Sequence, residues 1–130
     1  MKFKLLTLCI ITLLLGCSKQ AGEGGKSTVK GKILVEDWNN AFTIKNGEYP
    51  GLDVDVFIIY GDNVSYNDKT RANYNGEFEF KYLRKGKYTI YVITKDKTLQ
   101  SASGEKSIII NFELTGKKET KTLDQITVYE

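Results

Sequence analysis

Asn75-Gly76-Glu77-Phe78-Glu79-Phe80-Lys81-Tyr82-Leu83-Arg84-Lys85-Gly86-Lys87-Tyr88 is the stretch on which the fold turns. Asn75-Gly76 tolerates positive φ at both centres of a tight hairpin turn. Phe78 and Phe80 then share one face of a strand, while Glu77, Glu79 and Lys81 share the other. Leu83 to Gly86 offers a second turn, and Tyr88, Ile90 and Val92 open another alternating strand. Two strands and two turns in so short a span predict an antiparallel β domain.

Working outward, the first strand is expected over Thr28–Glu36, where Val29, Gly31, Ile33 and Val35 alternate with Lys30 and Lys32. A long connection, Asp37–Gly51, carries Trp38, Phe42 and Tyr49. Leu52–Tyr60 follows as a strand with Val54, Val56, Ile58 and Tyr60 on one face. Its other face holds Phe57 and Ile59 beside Asp53 and Asp55. Ser65–Tyr74 is polar, Lys95–Glu105 reads as a loop, Ser107–Leu114 alternates again, and Ile126 and Val128 mark the last strand. About seven strands at this spacing suit a sandwich, and no segment has a helical period.

The chain of 130 residues suits one domain. Its 41% hydrophobic and 27% charged content is that of a folded globular protein. One proline against twelve glycines means that turns rest on Gly and Asn. Setting aside Lys2 and Lys4 leaves 17 basic against 16 acidic residues, or +1, which is no footprint for nucleic acid. Histidine is absent, and with it the commonest general base and metal ligand. Without it a non-catalytic chain is expected; a carboxylate pair in one cleft would be needed to revive an enzyme. Asp53, Asp55, Asp62, Asn63, Asn67 and Asp68 are oxygen donors of the kind calcium takes. None follows a calcium-loop spacing, and all are ordinary turn residues, so neither a metal nor another cofactor is expected.

At the N-terminus, Lys2 and Lys4 precede an apolar run, Leu5–Leu15, well short of the roughly 20 residues of a spanning helix. A basic start, short apolar core and small residue describe a secretory signal peptide. Leu14-Leu15-Gly16-Cys17 resembles the lipobox of bacterial lipoproteins. The resemblance implies cleavage between Gly16 and Cys17, with diacylglycerol and palmitate holding Cys17 in the bilayer. Cys9 would leave with the signal peptide, so no intramolecular disulfide is expected. Ser18 to Ser27 is polar and glycine-rich, a flexible tether. Ser18 in place of aspartate favours the outer membrane of the bacterial envelope. The expected organisation is a signal peptide over residues 1–16, lipidated cysteine and tether over 17–27, and a β-sandwich over 28–130.

Thr70-Arg71-Ala72-Asn73-Tyr74-Asn75-Gly76-Glu77-Phe78-Glu79-Phe80, then Leu83, Gly86, Tyr88 and Ile90, resembles the carboxypeptidase regulatory-like domain. Val29-Lys30-Gly31-Lys32-Ile33 fits that family's first strand. The resemblance implies a seven-stranded, prealbumin-like Greek-key sandwich serving as an accessory or binding module. The Trp38–Pro50 insertion departs from the family pattern. In related bacterial surface sandwiches a first-strand lysine forms an isopeptide bond, but Lys30 and Lys32 fall on the outward face here. Tyr88 is expected to bury its ring and bond nearby backbone through its hydroxyl, as in a tyrosine corner.

Two candidate binding surfaces follow. Phe57, Ile59, Tyr91 and Ile93 point away from the core and would form one apolar patch if their strands are neighbours, suited to an envelope protein partner. The alternative occupant of that patch is the 37–51 insertion itself, folded over as a lid. Trp38, Phe42 and Tyr49 could instead stack on sugar rings, which would make the chain a carbohydrate-binding or adhesion module.

Overall fold

The computed structural model describes residues 20–130. The signal peptide, the Gly16–Cys17 cleavage point, Cys17 and the first tether residues lie outside them. The described residues form an all-β sandwich of two sheets, with nine strands and no helix. The strands are β1 (Glu23–Trp38), β2 (Lys45–Pro50), β3 (Asp55–Tyr60), β4 (Asp68–Arg71), β5 (Glu77–Leu83), β6 (Gly86–Lys95), β7 (Glu105–Leu114), β8 (Thr120–Thr122) and β9 (Ile126–Tyr129). The two beyond the expected seven are β2, inside the insertion, and the short β8.

One sheet is built along β1, whose 16 residues run through its centre. On one edge its first half pairs antiparallel with β5 and its second half with β2. On the other edge it pairs parallel with β8 and then β9. The handover occurs at Ile33, whose N–H donates to the Gly76 carbonyl and whose carbonyl accepts the Gly51 N–H. The second sheet has the order β4-β3-β6-β7, antiparallel throughout. Between the sheets lie Val29, Ile33, Val56, Ile58, Phe78, Phe80, Tyr88, Ile90 and Val92, all buried as their alternation requires. Gly31 leaves room for a ring: a Cβ there would stand 2.6 Å from Phe78 Cζ.

Four expectations are corrected. The tether does not extend to Ser27, because Glu23–Ser27 already belong to β1. Ser27 is fully buried, and its Oγ donates to the Gly116 carbonyl and accepts the Glu119 N–H. Gly25 is there for close approach rather than flexibility, since a Cβ would meet the Leu83 carbonyl oxygen at 2.1 Å.

Second, Asn75-Gly76 is not the centre of a hairpin. It carries the chain from β4 in one sheet to β5 in the other. Of the pair only Gly76 has positive φ, at 74°, and the Asn73 side-chain oxygen accepts the N–H groups of Asn75 and Glu77. The Leu83–Gly86 turn likewise crosses between sheets, from β5 to β6. Tyr82 takes φ of 61°, which breaks the alternation and turns Leu83 into the core behind Phe78 and Phe80.

Third, the insertion is not a lid. After Trp38 the Asn39 side-chain oxygen accepts the N–H groups of Thr43 and Ile44, and β2 returns along β1. Fourth, the strand expected from Leu52 begins only at Asp55, since Asp53 sits at φ 61°.

Tyr88 closes the fold where the described chain begins. Its hydroxyl donates to the Arg84 carbonyl at 2.6 Å and accepts the Gly22 N–H at 2.9 Å, while its ring stacks on Phe112. Burial raises its pKa, keeping it a neutral donor.

Candidate functional site

The outward residues of the second sheet line up by register. Phe57 on β3 faces Lys69 on β4 and Tyr91 on β6, and Tyr91 faces Ile109 on β7. The row Lys69–Phe57–Tyr91–Ile109 therefore crosses the whole sheet. The Phe57 and Tyr91 rings stack at 4.9 Å and 12°, and Tyr66 packs on Phe57 at 5.0 Å. Ile59 and Ile93 flank the row on the same side. Exposure is 63% at Ile109, 47% at Tyr66 and 41% at Ile93, so the patch is open at three points. Around it stand polar groups: Arg71 paired with Asp55, and Thr89 donating to Asn111 at 2.7 Å. An apolar centre with a polar rim is the anatomy of a protein interface.

The insertion's aromatic residues lie elsewhere. The Trp38 indole N–H donates to Glu36, and the ring lies 6.4 Å from Phe42, which meets Tyr129 edge-on. Lys97 places its ammonium 4.0 Å from the Trp38 ring centre and 5.2 Å from that of Tyr129, a cation–π arrangement. The Trp38 bond, with Lys45 at 3.4 Å, holds the Glu36 carboxyl below its usual range. Tyr49 is tied down apart from these, its hydroxyl donating to Glu130 at 2.5 Å, which pushes its pKa to about 12. Trp38 and Phe42 meet, but Tyr49 does not complete a three-ring platform, and one face of Trp38 is occupied by Lys97.

The structure thus joins Phe57, Ile59, Tyr91 and Ile93 and separates them from Trp38, Phe42 and Tyr49. Sequence reasoning missed Tyr66, Ile109, Lys97 and Tyr129. Ile109 was legible as the middle of Ile108-Ile109-Ile110, which a strand must turn opposite to its neighbours. Tyr66 was not, because its place depends on a loop in which Asn67 accepts the Tyr60 N–H.

The acidic turn residues serve local structure: Asp55 takes Arg71, Asn67 also accepts from Asn63, and Asp68 accepts the Lys69 N–H. Among the described residues no group of three or more His, Cys, Asp or Glu converges as a metal site would require. Nor is any helix there long and apolar enough to cross a membrane.

No protein-family model and no curated protein matches the chain. Among solved structures it is similar to a Pseudomonas aeruginosa protein provisionally described as carbohydrate binding. That pair has a TM-score of 0.46 and 10% identity over 85% of this chain and 92% of the other. It is also similar to (S)-allantoin synthase, with a TM-score of 0.45 and 9% identity over 82% of this chain and 43% of that one. At such distances neither likeness bears on what this chain binds or does.

Proposed function

We propose that this chain is a non-catalytic, lipid-anchored module of the bacterial envelope that binds a protein partner through the outer face of the β4-β3-β6-β7 sheet. The observation that carries the reading is the continuous row Phe57–Tyr91–Ile109, widened by Ile59 and Ile93 and by the loop residue Tyr66, which packs on Phe57 and leaves Ile109 and Ile93 open. Isolated apolar residues on a surface need no explanation, but a contiguous row does. Phe57 spends one face on Tyr91 and meets Tyr66 at a tilt, which leaves less ring face for a sugar. This favours a protein surface over a glycan.

The anchor belongs to the same proposal and rests on the lipobox-like Leu14-Leu15-Gly16-Cys17. Outer-membrane placement rests on Ser18, and the prealbumin-like Greek-key ancestry on the 70–90 pattern. Replacing Cys17 with alanine should release the domain from membranes.

Photo-crosslinking from Phe57 in intact cells tests the partner. One protein captured from Phe57 and none from Glu79, on the opposite sheet, is the expected result. Equal capture from both positions, or none, overturns the reading. A glycan titration that quenches Trp38 fluorescence, with no capture at Phe57, would replace it by carbohydrate binding through the insertion.

A further inference from the structure

Of the sheet edges among the described residues, β7 is the least protected, uncharged from Ser107 to Phe112. It pairs with β6 over ten consecutive residues with no bulge, and among the described residues nothing pairs with its other side. The remaining edges are blunted in the ways sheets usually are. β4 has four residues, three of them charged. β2 ends in Pro50, and its register slips beside Trp38. β5 alternates Glu77, Glu79 and Lys81 and breaks at Tyr82. β8 and β9 have three and four residues.

The backbone groups on this edge can be assigned. Lys87 accepts the Gly61 N–H on the β3 side, so Tyr88, Ile90 and Val92 direct their amide groups to Phe112, Ile110 and Ile108 of β7. Ser107, Ile109 and Asn111 therefore aim both N–H and C=O away from the sheet. All three residues are exposed, and among the described residues nothing outside β7 bonds their backbone. Glu105 differs, because the Ser103 hydroxyl caps it.

Beside this edge the sandwich is open. A groove of about 530 Å³ separates β7 from the 121–127 segment, with Ile108, Ile110 and Phe112 on one wall and Leu123 and Ile126 on the other. On the outward face, Glu105 and Glu113 stand directly opposite Lys95 and Lys87 of β6. A cation on the next strand would continue that alternation of sign.

We infer that β7 is a strand-addition site for an extended segment of the partner protein, apolar at alternate positions and basic at both ends. This deepens the protein-binding reading and rests on it. Added antiparallel, such a strand would exchange backbone bonds with Ser107, Ile109 and Asn111. Its inward side chains would enter the groove beside Ile108 and Ile110. Its central outward residue would extend the row Phe57–Tyr91–Ile109, and its terminal cations would meet Glu105 and Glu113. A second copy of the chain is the poorer occupant: β7 paired with itself about Ile109 sets Glu105 against Glu113 at both ends, and like charges directly opposed are destabilising.

The probe is the peptide Lys-Val-Thr-Val-Phe-Val-Thr-Val-Lys, titrated into the domain by NMR. Binding should slow amide exchange at Ser107, Ile109 and Asn111. N-methylation of its phenylalanine and threonines should weaken binding about tenfold or more, whereas N-methylation of two valines should cost less than about threefold. On the protein, I109P removes an edge N–H without touching the β6 ladder and should also weaken binding about tenfold. Equal loss from both N-methylated peptides, or no binding, overturns the inference. If Phe57 still captures a protein in cells, the face reading survives that failure; edge binding without capture at Phe57 is the reverse case. A dimer of the free domain that protects the same amides would overturn the choice of occupant.

Discussion

The sheet built on β1 turns Lys30, Lys32, Glu77, Glu79 and Lys81 outward, whereas the sheet β4-β3-β6-β7 turns Phe57, Tyr91, Ile93 and Ile109 outward. Both sheets contribute Val, Ile and aromatic residues to one core, so folding does not require the difference. Each sheet of a sandwich buries one face and leaves the other to solvent. The charged face is what a solvated sheet looks like; the apolar one keeps Ile109 63% exposed, a surface that folding alone does not call for.

The sharpest way to break this comparison uses adjacent residues. Ile58 is fully buried and Phe57 points the other way. Ile58→Ala should cost about 2–5 kcal/mol in urea unfolding. Phe57→Ala should cost about 1 kcal/mol from the lost ring stack, while abolishing partner capture from a crosslinker at Ile109. Equal losses would mean that the outer face is core, and the comparison would fail.

Next in size is Tyr88→Phe, expected to cost about 1–2 kcal/mol because the Gly22 N–H loses its buried acceptor. No change in the unfolding midpoint would mean that the hydroxyl contributes nothing to either sheet.

The largest acid sensitivity should come from the loop joining β6 to β7. There Asp96 accepts the Thr98 hydroxyl and the N–H groups of Thr98, Gln100 and Ser101, which lowers its pKa from 3.8 to about 2. The folded value is below the unfolded one, so the contribution is present above 3.8 and lost as pH falls through about 2. Asp96→Asn should flatten the fall in unfolding midpoint across that interval. An unchanged slope would assign it to other carboxylates.

The smallest effect belongs to the charged face. Lys81 pairs with Glu79 at 3.3 Å, both about half exposed, and Lys81→Ala should change stability by less than about 0.5 kcal/mol. A larger loss, or loss of partner binding, would make that face more than a solvated surface.

How far the sequence carried depended on the kind of signal. Alternation placed Phe78, Phe80, Ile90 and Val92 correctly, because a strand with one buried face must write its burial into every second residue. Tyr88 was readable for the same reason. Sheet membership was not: Asn75-Gly76 is compatible with a hairpin or a crossing, and the choice is made by Ile33 handing its edge from β5 to β2. Gly24-Gly25 read as tether because composition does not distinguish a glycine needed for motion from one needed for contact with Leu83. At the site, the Phe57 and Tyr91 neighbourhood was legible from two strands, whereas the insertion's course along β1 depended on Asn39 and on pairing with a remote edge.

The course of β1 also sets how the domain would respond to a pull. A tension applied at Gln20 runs along β1, and the ladders to β5, β8, β9 and β2 lie beside that line rather than across its end. They would share the load in shear instead of opening one after another like a zip. The bonds from the Tyr88 hydroxyl to Gly22 and Arg84 sit at the first point to feel it. Because forced unfolding is governed by the rate of yielding, that clamp would matter more under such a pull than its share of equilibrium stability suggests.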